Sequence, residues 1–452
     1  MNTTTPAAPL TGAQRRLMTG LVLGVTLVAF EVTSVVTALP TITDELHGTS
    51  LYGLAVAVYT LANMVALVTT GELADRYGPV KPYIASIATF VVGLLVAASA
   101  HSMVTVVVGR TLQGAGTGGL QPVAYLLVQR AVPADRQPKM FAILSAGWVL
   151  PSLFAPALAG SIVDTFGWRW VFLSIIPFAL LVAVLAVRPM SAYGAVGEHR
   201  TDSNIAYAFG AAAGVGVFCT GIRASQPVWA AVLAVAGAAV AVPALRRILP
   251  VGFARARVGL PSIAVCRVLA TAAFLGADSF IPLAADRIHG VRPLVQGFVI
   301  IGAAISWTIG QLIRARRPVE NPAPAMRTGF LVLTLGLVLV IPVLWAGWPL
   351  WATFIGWSVG GLGMGLLYNP STVATMTYAT PGAEGKISSQ VSLSDALGFS
   401  LMGGIGGAAV AVADRGTVHI GSALGFTLAL AITCGLCGAV LSARVRTAPS
   451  AG

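Results

Sequence analysis

Apolar runs of about 20 residues recur fourteen times along this chain of 452 residues, each long enough to cross a hydrocarbon core of roughly 30 Å as a helix. A segment in hydrocarbon must satisfy its own backbone hydrogen bonds, and these runs are too long and unbroken for barrel strands. The expected fold is therefore an all-α membrane protein. Six runs cover 18–40, 51–70, 82–100, 103–128, 140–163 and 168–187, and two more cover 204–222 and 227–245. The last six cover 259–283, 294–313, 328–345, 351–378, 387–412 and 420–443. Only 9% of the residues are charged, against about a quarter in soluble domains, which excludes a water-soluble fold.

The net charge of +12 does not point to nucleic acid, because the basic residues are scattered through short loops and form no patch or stripe. They read as topology instead. With both termini cytoplasmic, 20 of the 27 Lys and Arg residues fall inside, 5 outside and 2 within helices, while the acidic residues split 7 to 5. That bias supports this orientation. Inside clusters include Arg15-Arg16, Arg246-Arg247 with Arg255 and Arg257, and Arg314-Arg316-Arg317; Trp168, Trp170, Trp345, Trp348 and Trp351 gather at outer ends as interfacial anchors. Glu31 and Pro40 in the first run are unlike a cleaved signal peptide, so that run is expected to be retained.

Cys219, Cys266, Cys434 and Cys437 all lie in apolar runs, and His47, His101, His199, His289 and His419 in predicted loops. Neither a disulfide framework nor a zinc site is expected, and no cofactor or metal. No nucleophile with a base, nor any metal cluster, appears within the helices, so an enzyme is not expected.

The chain repeats itself. A shift of 242 residues lays Pro40 on Pro282, Asp44 on Asp286 and His47 on His289; a shift of 247 lays Gly114, Gly116 and Gly118 on Gly361, Gly363 and Gly365, and Lys139 on Lys386. The two offsets imply one six-helix unit with a small indel, repeated in parallel. Residues 1–188 and 259–452 are the two expected bundles, and 189–258 a linker holding the unpaired helices 7 and 8. Two pseudo-symmetric bundles can rock about a site at the membrane midplane, which makes solute transport the economical reading.

Four motifs then appear in order. Gly71-Glu-Leu-Ala-Asp75-Arg76-Tyr-Gly78, between helices 2 and 3, resembles the signature loop of the major facilitator superfamily, a latch on the cytoplasmic side in that family. Pro79 and Val80 replace its usual basic pair. Phe30-Glu31-Val-Thr33 through Pro40 is similar to the helix 1 motif of the fourteen-helix drug:proton antiporters, with Glu31 in the aspartate's place. Arg110-Thr-Leu-Gln113-Gly114 resembles the family's helix 4 motif. Pro151 to Gly160 resembles its helix 5 antiporter motif with alanine for two glycines, and Gly167-Trp-Arg-Trp-Val-Phe172 is close to that subfamily's own sequence.

The resemblance implies a proton-coupled antiporter of hydrophobic or amphipathic compounds in a bacterial cytoplasmic membrane, acting as a monomer on small molecules and protons. A lipid, siderophore or metabolite is the alternative cargo, and a channel the rival class. Glu31, Arg110, Asp278 and Asp395 are the expected proton-coupling residues, because an ionisable group within the membrane is expensive unless paired or functional. Arg110 needs a partner, and Glu31 is expected to carry the proton. Arg267 and Asp278 share a face of helix 9 but lie too far apart to pair. For Asp278 and Asp395 two readings stay open, a proton site or half of a structural ion pair. Gln113, Gln121, Trp148, Trp307, Tyr368 and Asn369 are placed to line a substrate cavity, and Gly71, Asp75, Arg76 and Gly78 to form the cytoplasmic gate.

Overall fold

The computed structural model describes residues 10–48, 51–195, 203–222, 226–291, 293–315 and 321–448, and among them there is helix and no strand. His199, Arg316 and Arg317 lie outside the described residues. Two compact units emerge, one of residues 1–201 with 380–388, the other of 202–379 with 389–452.

The first unit holds α1 (Gly12–Glu45), α2 (Tyr52–Tyr77), α3 (Val80–Ala98), α4 (Met103–Thr117), α5 (Leu120–Ala131), α6 (Gln137–Ala146), α7 (Val149–Phe166), α8 (Arg169–Leu173) and α9 (Ile176–Met190). The second holds α10 (Ile205–Gly221), α11 (Pro227–Ile248), α12 (Leu260–His289), α13 (Pro293–Ala315), α14 (Pro322–Val340), α15 (Leu350–Met376) and α17 (Ile420–Leu441). It also holds all but the first turn of α16 (Glu384–Asp414). His289, expected in a loop, is the last residue of α12.

Among the described residues ten helical segments are long and apolar enough to cross a membrane, counting α8 with α9 as one, and Phe154–Phe166 and Ile205–Gly221 are shorter apolar helices. The runs expected as single helices over 103–128, 140–163 and 168–187 are each broken. The cause is proline, which has no N–H for the carbonyl four residues earlier. Pro122, Pro151 and Pro177 leave the carbonyls of Gly118, Gly147 and Leu173 without helical partners, and the breaks fall at 118–119, 147–148 and 174–175. A glycine or serine stands at each break. Pro40, Pro282 and Pro370 sit inside unbroken helices, so proline alone does not decide where a helix breaks.

Several polar side chains within the helices find partners on their own helix. Thr11 and Gln14 form a reciprocal capping box at the start of α1, while Thr26, Thr33 and Thr37 donate to carbonyls four residues earlier. Gly78 ends α2 at φ +80°, a conformation open to glycine and strained for most other residues.

Packing follows the repeat. In the first unit α4 packs on α2 and α3, and α1 on α9; in the second, α15 packs on α13 and α14, and α12 on α17. The repeated glycines make these contacts possible. A Cβ on Gly114 would overlap the Tyr59 carbonyl of α2, and one on Gly361 the Ala303 carbonyl of α13. Gly116 likewise meets the Phe90 backbone in α3, and Gly363 the Leu333 backbone in α14. Backbones this close gain dispersion where lipid offers no hydrophobic driving force. Around them Phe90, Phe141 and Phe172 fill the first core, and Phe330, Trp357 and Leu333 the second.

Candidate functional site

Each unit carries a buried polar cluster. In the first, α1 presents Glu31 and α4 presents Arg110, with 0% and 3% of their side chains exposed. Arg110 Nη1 donates to Glu31 Oε1 and, at 2.6 Å, to Gln113 Oε1 one turn along. The guanidinium also lies over the Tyr59 ring, 4.2 Å from its centroid. Gln113 is fully buried, and its amide nitrogen donates to the Gly93 carbonyl at 3.2 Å. Thr117 donates to the Tyr59 hydroxyl and accepts from Asn63. A central Arg costs about 2.5–3.5 kcal/mol on the insertion scale, and this cluster offsets it. Gln121 donates to Tyr125, while Trp148, at a helix break, is 40% exposed.

In the second unit Arg267 of α12 reaches Asp395 of α16 with both arms of its fork: Nε donates to Oδ1 at 2.8 Å, and Nη2 to Oδ2. Nη1 donates to Thr372 at 2.7 Å and Ser371 at 3.1 Å. Tyr368 lies beneath the guanidinium, 3.8 Å from ring centroid to carbon, and its hydroxyl donates to Asp395 at 2.9 Å. Asp395 is therefore half of an ion pair. Asn369, next to Tyr368 in α15, is buried.

Asp278, eleven residues along α12, makes no ion pair among the described residues. Its Oδ1 accepts from the indole N–H of Trp357 at 2.8 Å. Trp357 stacks on Phe274 at 4.9 Å, and Trp307 stands edge-on to Phe274 at 5.1 Å and to Tyr368 at 5.4 Å. An aromatic row thus runs from one carboxylate to the other. Trp307 packs in that row, and its own N–H has no partner among the described residues.

A third cluster lies at the end of the first unit where α2 stops. Asp75 accepts from the backbone N–H groups of Gly385 at 2.7 Å and Lys386 at 2.8 Å, in the first turn of α16. A carboxylate at a helix N-terminus satisfies donors that the helix cannot. Arg130 of α5 bonds Glu384 at 2.8 Å and lies 3.6 Å from Asp75. Gly71 completes the seat, since a Cβ on Gly385 would overlap its carbonyl. Arg76 stands over the neighbouring Tyr77 ring, and Gly78 supplies the turn. Arg130 and Glu384 were not among the expected gate residues; the only sequence signal was their place among the inside loop charges.

The model of the Major Facilitator Superfamily matches residues 21–403. The chain belongs to the major facilitator superfamily. An MFS-type transporter of Mycobacterium tuberculosis is 30% identical over 331 residues, which cover 68% of this chain and 48% of that relative. The chain thus spans about half the length of that relative. A "probable multidrug-efflux transporter" of the same organism is 26% identical over 452 residues, covering 92% of this chain and 93% of the relative. Multidrug resistance protein 3 of Bacillus subtilis is 29% identical over 188 residues, covering 42% of this chain and 36% of its own. The crystal structure of the human organic anion transporter MFSD10 superposes with a TM-score of 0.70 at 14% identity, covering 95% of this chain and 99% of that one, which shows the shared fold. With its long apolar helices, this chain is accordingly a multi-pass membrane protein of that family.

Proposed function

We propose that this transporter is a proton-coupled antiporter that exports hydrophobic or amphipathic compounds, cations among them, by alternating access across a bacterial cytoplasmic membrane. In this reading the chain crosses fourteen times with both termini cytoplasmic and works as a monomer. Residues 1–188 and 259–452 form the moving bundles, and α10 and α11 in the 189–258 linker are peripheral. The efflux name of a relative matched over almost its whole length supports the cargo class.

The observation that carries the coupling is Asp278, an embedded carboxylate bonded to a neutral indole rather than to a cation. Protonating Glu31 or Asp395 would strand a buried guanidinium, which is costly. Protonating Asp278 strands nothing. The carrier expected at Glu31 is therefore assigned to Asp278, with Glu31–Arg110 and Arg267–Asp395 as the pairs that hold the two bundles' polar centres. Asp75, Arg130 and Glu384 form the cytoplasmic gate. Gln121, Trp148, Trp307 and Tyr368 remain the residues proposed to meet substrate.

Proteoliposomes with an imposed pH gradient and an internal pH dye test this. Lipophilic cations and neutral amphipathic compounds should each exchange for protons and accumulate against their gradients. Substrate movement without proton flux, or single-channel conductance, would overturn the reading.

A further inference from the structure

Between the ends of α11 and α12 the chain makes an ordered and strained loop, Leu249 to Gly259, that none of the transport chemistry uses. Three of its residues have left-handed φ angles: Gly252 at +91°, Ala256 at +43° and Gly259 at +94°. Ala256 is the unusual one, because a Cβ makes this region uncommon. Such a conformation persists only where the surroundings over-determine it.

The C-terminal segment supplies those surroundings. Arg444 Nη1 donates to the carbonyls of Arg255 at 3.1 Å and Ala256 at 3.4 Å, while its own carbonyl accepts from Gly259 N at 3.1 Å and Ser262 Oγ at 3.0 Å. Tyr378 donates to the Arg446 carbonyl at 2.9 Å and packs against Gly259. The stem of Arg257 lies across Gly252, where a Cβ would come within 2.6 Å of it.

The result is a fixed platform of four exposed arginines, Arg255, Arg257, Arg444 and Arg446, and no described carboxylate lies within ion-pair distance of any of them. At the opposite end of α12, by contrast, the exposed Arg287 has Asp414 at 3.4 Å. Two valines flank the basic platform, Val251 and Val258, 86% and 65% exposed. Guanidiniums without a carboxylate partner among the described residues, beside bare apolar side chains at the mouth of two membrane spans, match a surface that is anionic above and hydrocarbon below.

We propose that this platform docks the headgroup of an anionic phospholipid, with Arg255 and Arg257 on the phosphate and Val251 and Val258 in the acyl boundary. Arg444 positions the loop. Guanidinium forks suit phosphate geometry, and each arginine near an anionic surface gives roughly a five-fold gain in binding.

Native mass spectrometry of the full-length protein, with phosphatidylglycerol or phosphatidylcholine titrated into the detergent, tests it. In the double variant Arg255→Gln/Arg257→Gln, the tightest phosphatidylglycerol should bind about 25-fold more weakly, with phosphatidylcholine unchanged. The exposed pair Arg15→Gln/Arg16→Gln should leave binding as it was, and Arg255→Lys/Arg257→Lys should retain part of it. For the unaltered protein, added salt should weaken phosphatidylglycerol binding selectively. An undiminished phosphatidylglycerol affinity in the Gln variant, or an equal loss from the Arg15/Arg16 pair, would overturn the site. So would glycerol phosphate competing at lipid concentrations, which would make it a site for a soluble anion.

Discussion

In each unit the first helix of the bundle carries an embedded acid bonded to the fourth, and the two bonds span the same separation of 79 residues. What differs is the donor. Glu31 faces the guanidinium of Arg110, and Asp278 faces the indole of Trp357. A shift of 247 residues lays Glu31 on Asp278 and Arg110 on Trp357 together. The first and fourth helices are thus joined by a charged pair in one unit and by a neutral pair in the other. The charged pair is a strut, since neither member can change its charge without stranding the other in a low-dielectric interior. The neutral pair leaves its carboxylate able to exchange a proton while the hydrogen bond stays made.

The difference shows most in how each pair tolerates the loss of its acid's charge. Replacing Glu31→Gln leaves Arg110 buried and uncompensated, and should destabilise the protein by about 3–5 kcal/mol. Thermal unfolding of the purified variant in detergent would read this as a large fall in midpoint. The double change Glu31→Gln/Arg110→Met removes both charges and should recover most of the loss. If the single variant unfolds like the unaltered protein, the pair is no strut and the contrast between the units collapses.

A smaller effect is expected from the packing that the two units share. Gly114→Ala and Gly361→Ala each drive a methyl into a carbonyl of the neighbouring helix, and overpacking of this kind costs about 1–3 kcal/mol. Because the partner helices are repeat-related, the two losses should agree within about 1 kcal/mol. A marked inequality in unfolding midpoints would show that the repeat in sequence is not a repeat in energetics.

Trp357→Phe keeps the stacking on Phe274 but removes the N–H, leaving Asp278 Oδ1 without its donor. An unsatisfied polar group costs about 1–3 kcal/mol, at the low end here because Asp278 is half-buried. Transport by this variant should shift in its pH profile, a readout that lost packing alone would not move. An unchanged profile would separate Trp357 from the proton site.

Much of this was legible beforehand. The fourteen apolar runs all fall on helices, and Arg110 announced a partner by its cost. Motif order singled out Asp75, which accepts from backbone N–H groups in the first turn of α16. The breaks in three helices were readable in principle from Pro122, Pro151 and Pro177, but prolines elsewhere leave helices whole, and only packing decides which. The Asp278–Trp357 pair stayed hidden for a plainer reason. Pro40 and Pro282 set the register of the first helix at 242 residues, which lays Asp278 on Val36, whereas the fourth helix repeats at 247. A tryptophan in an apolar helix also reads as core, so neither residue pointed to the other. Arg130 and Glu384 sit 254 residues apart, beyond any local pattern.

The smallest expected effect on stability is the most informative about function. In Asp278→Asn the side-chain oxygen still accepts from Trp357, and the change removes a charge that no cation among the described residues balances, so the unfolding midpoint should correspond to a change within about 1 kcal/mol. Coupling should nonetheless fail. With a pH gradient imposed on proteoliposomes, the variant should bind and equilibrate lipophilic cations yet not accumulate them, because the group proposed to exchange a proton in each transport cycle is gone. Glu31→Gln/Arg110→Met, with its strut replaced by apolar contact, should keep some uphill transport if the charged pair is structural. The reverse outcome, accumulation by Asp278→Asn and none by the double variant, would return the proton to Glu31 and leave Trp357 as an ordinary core residue.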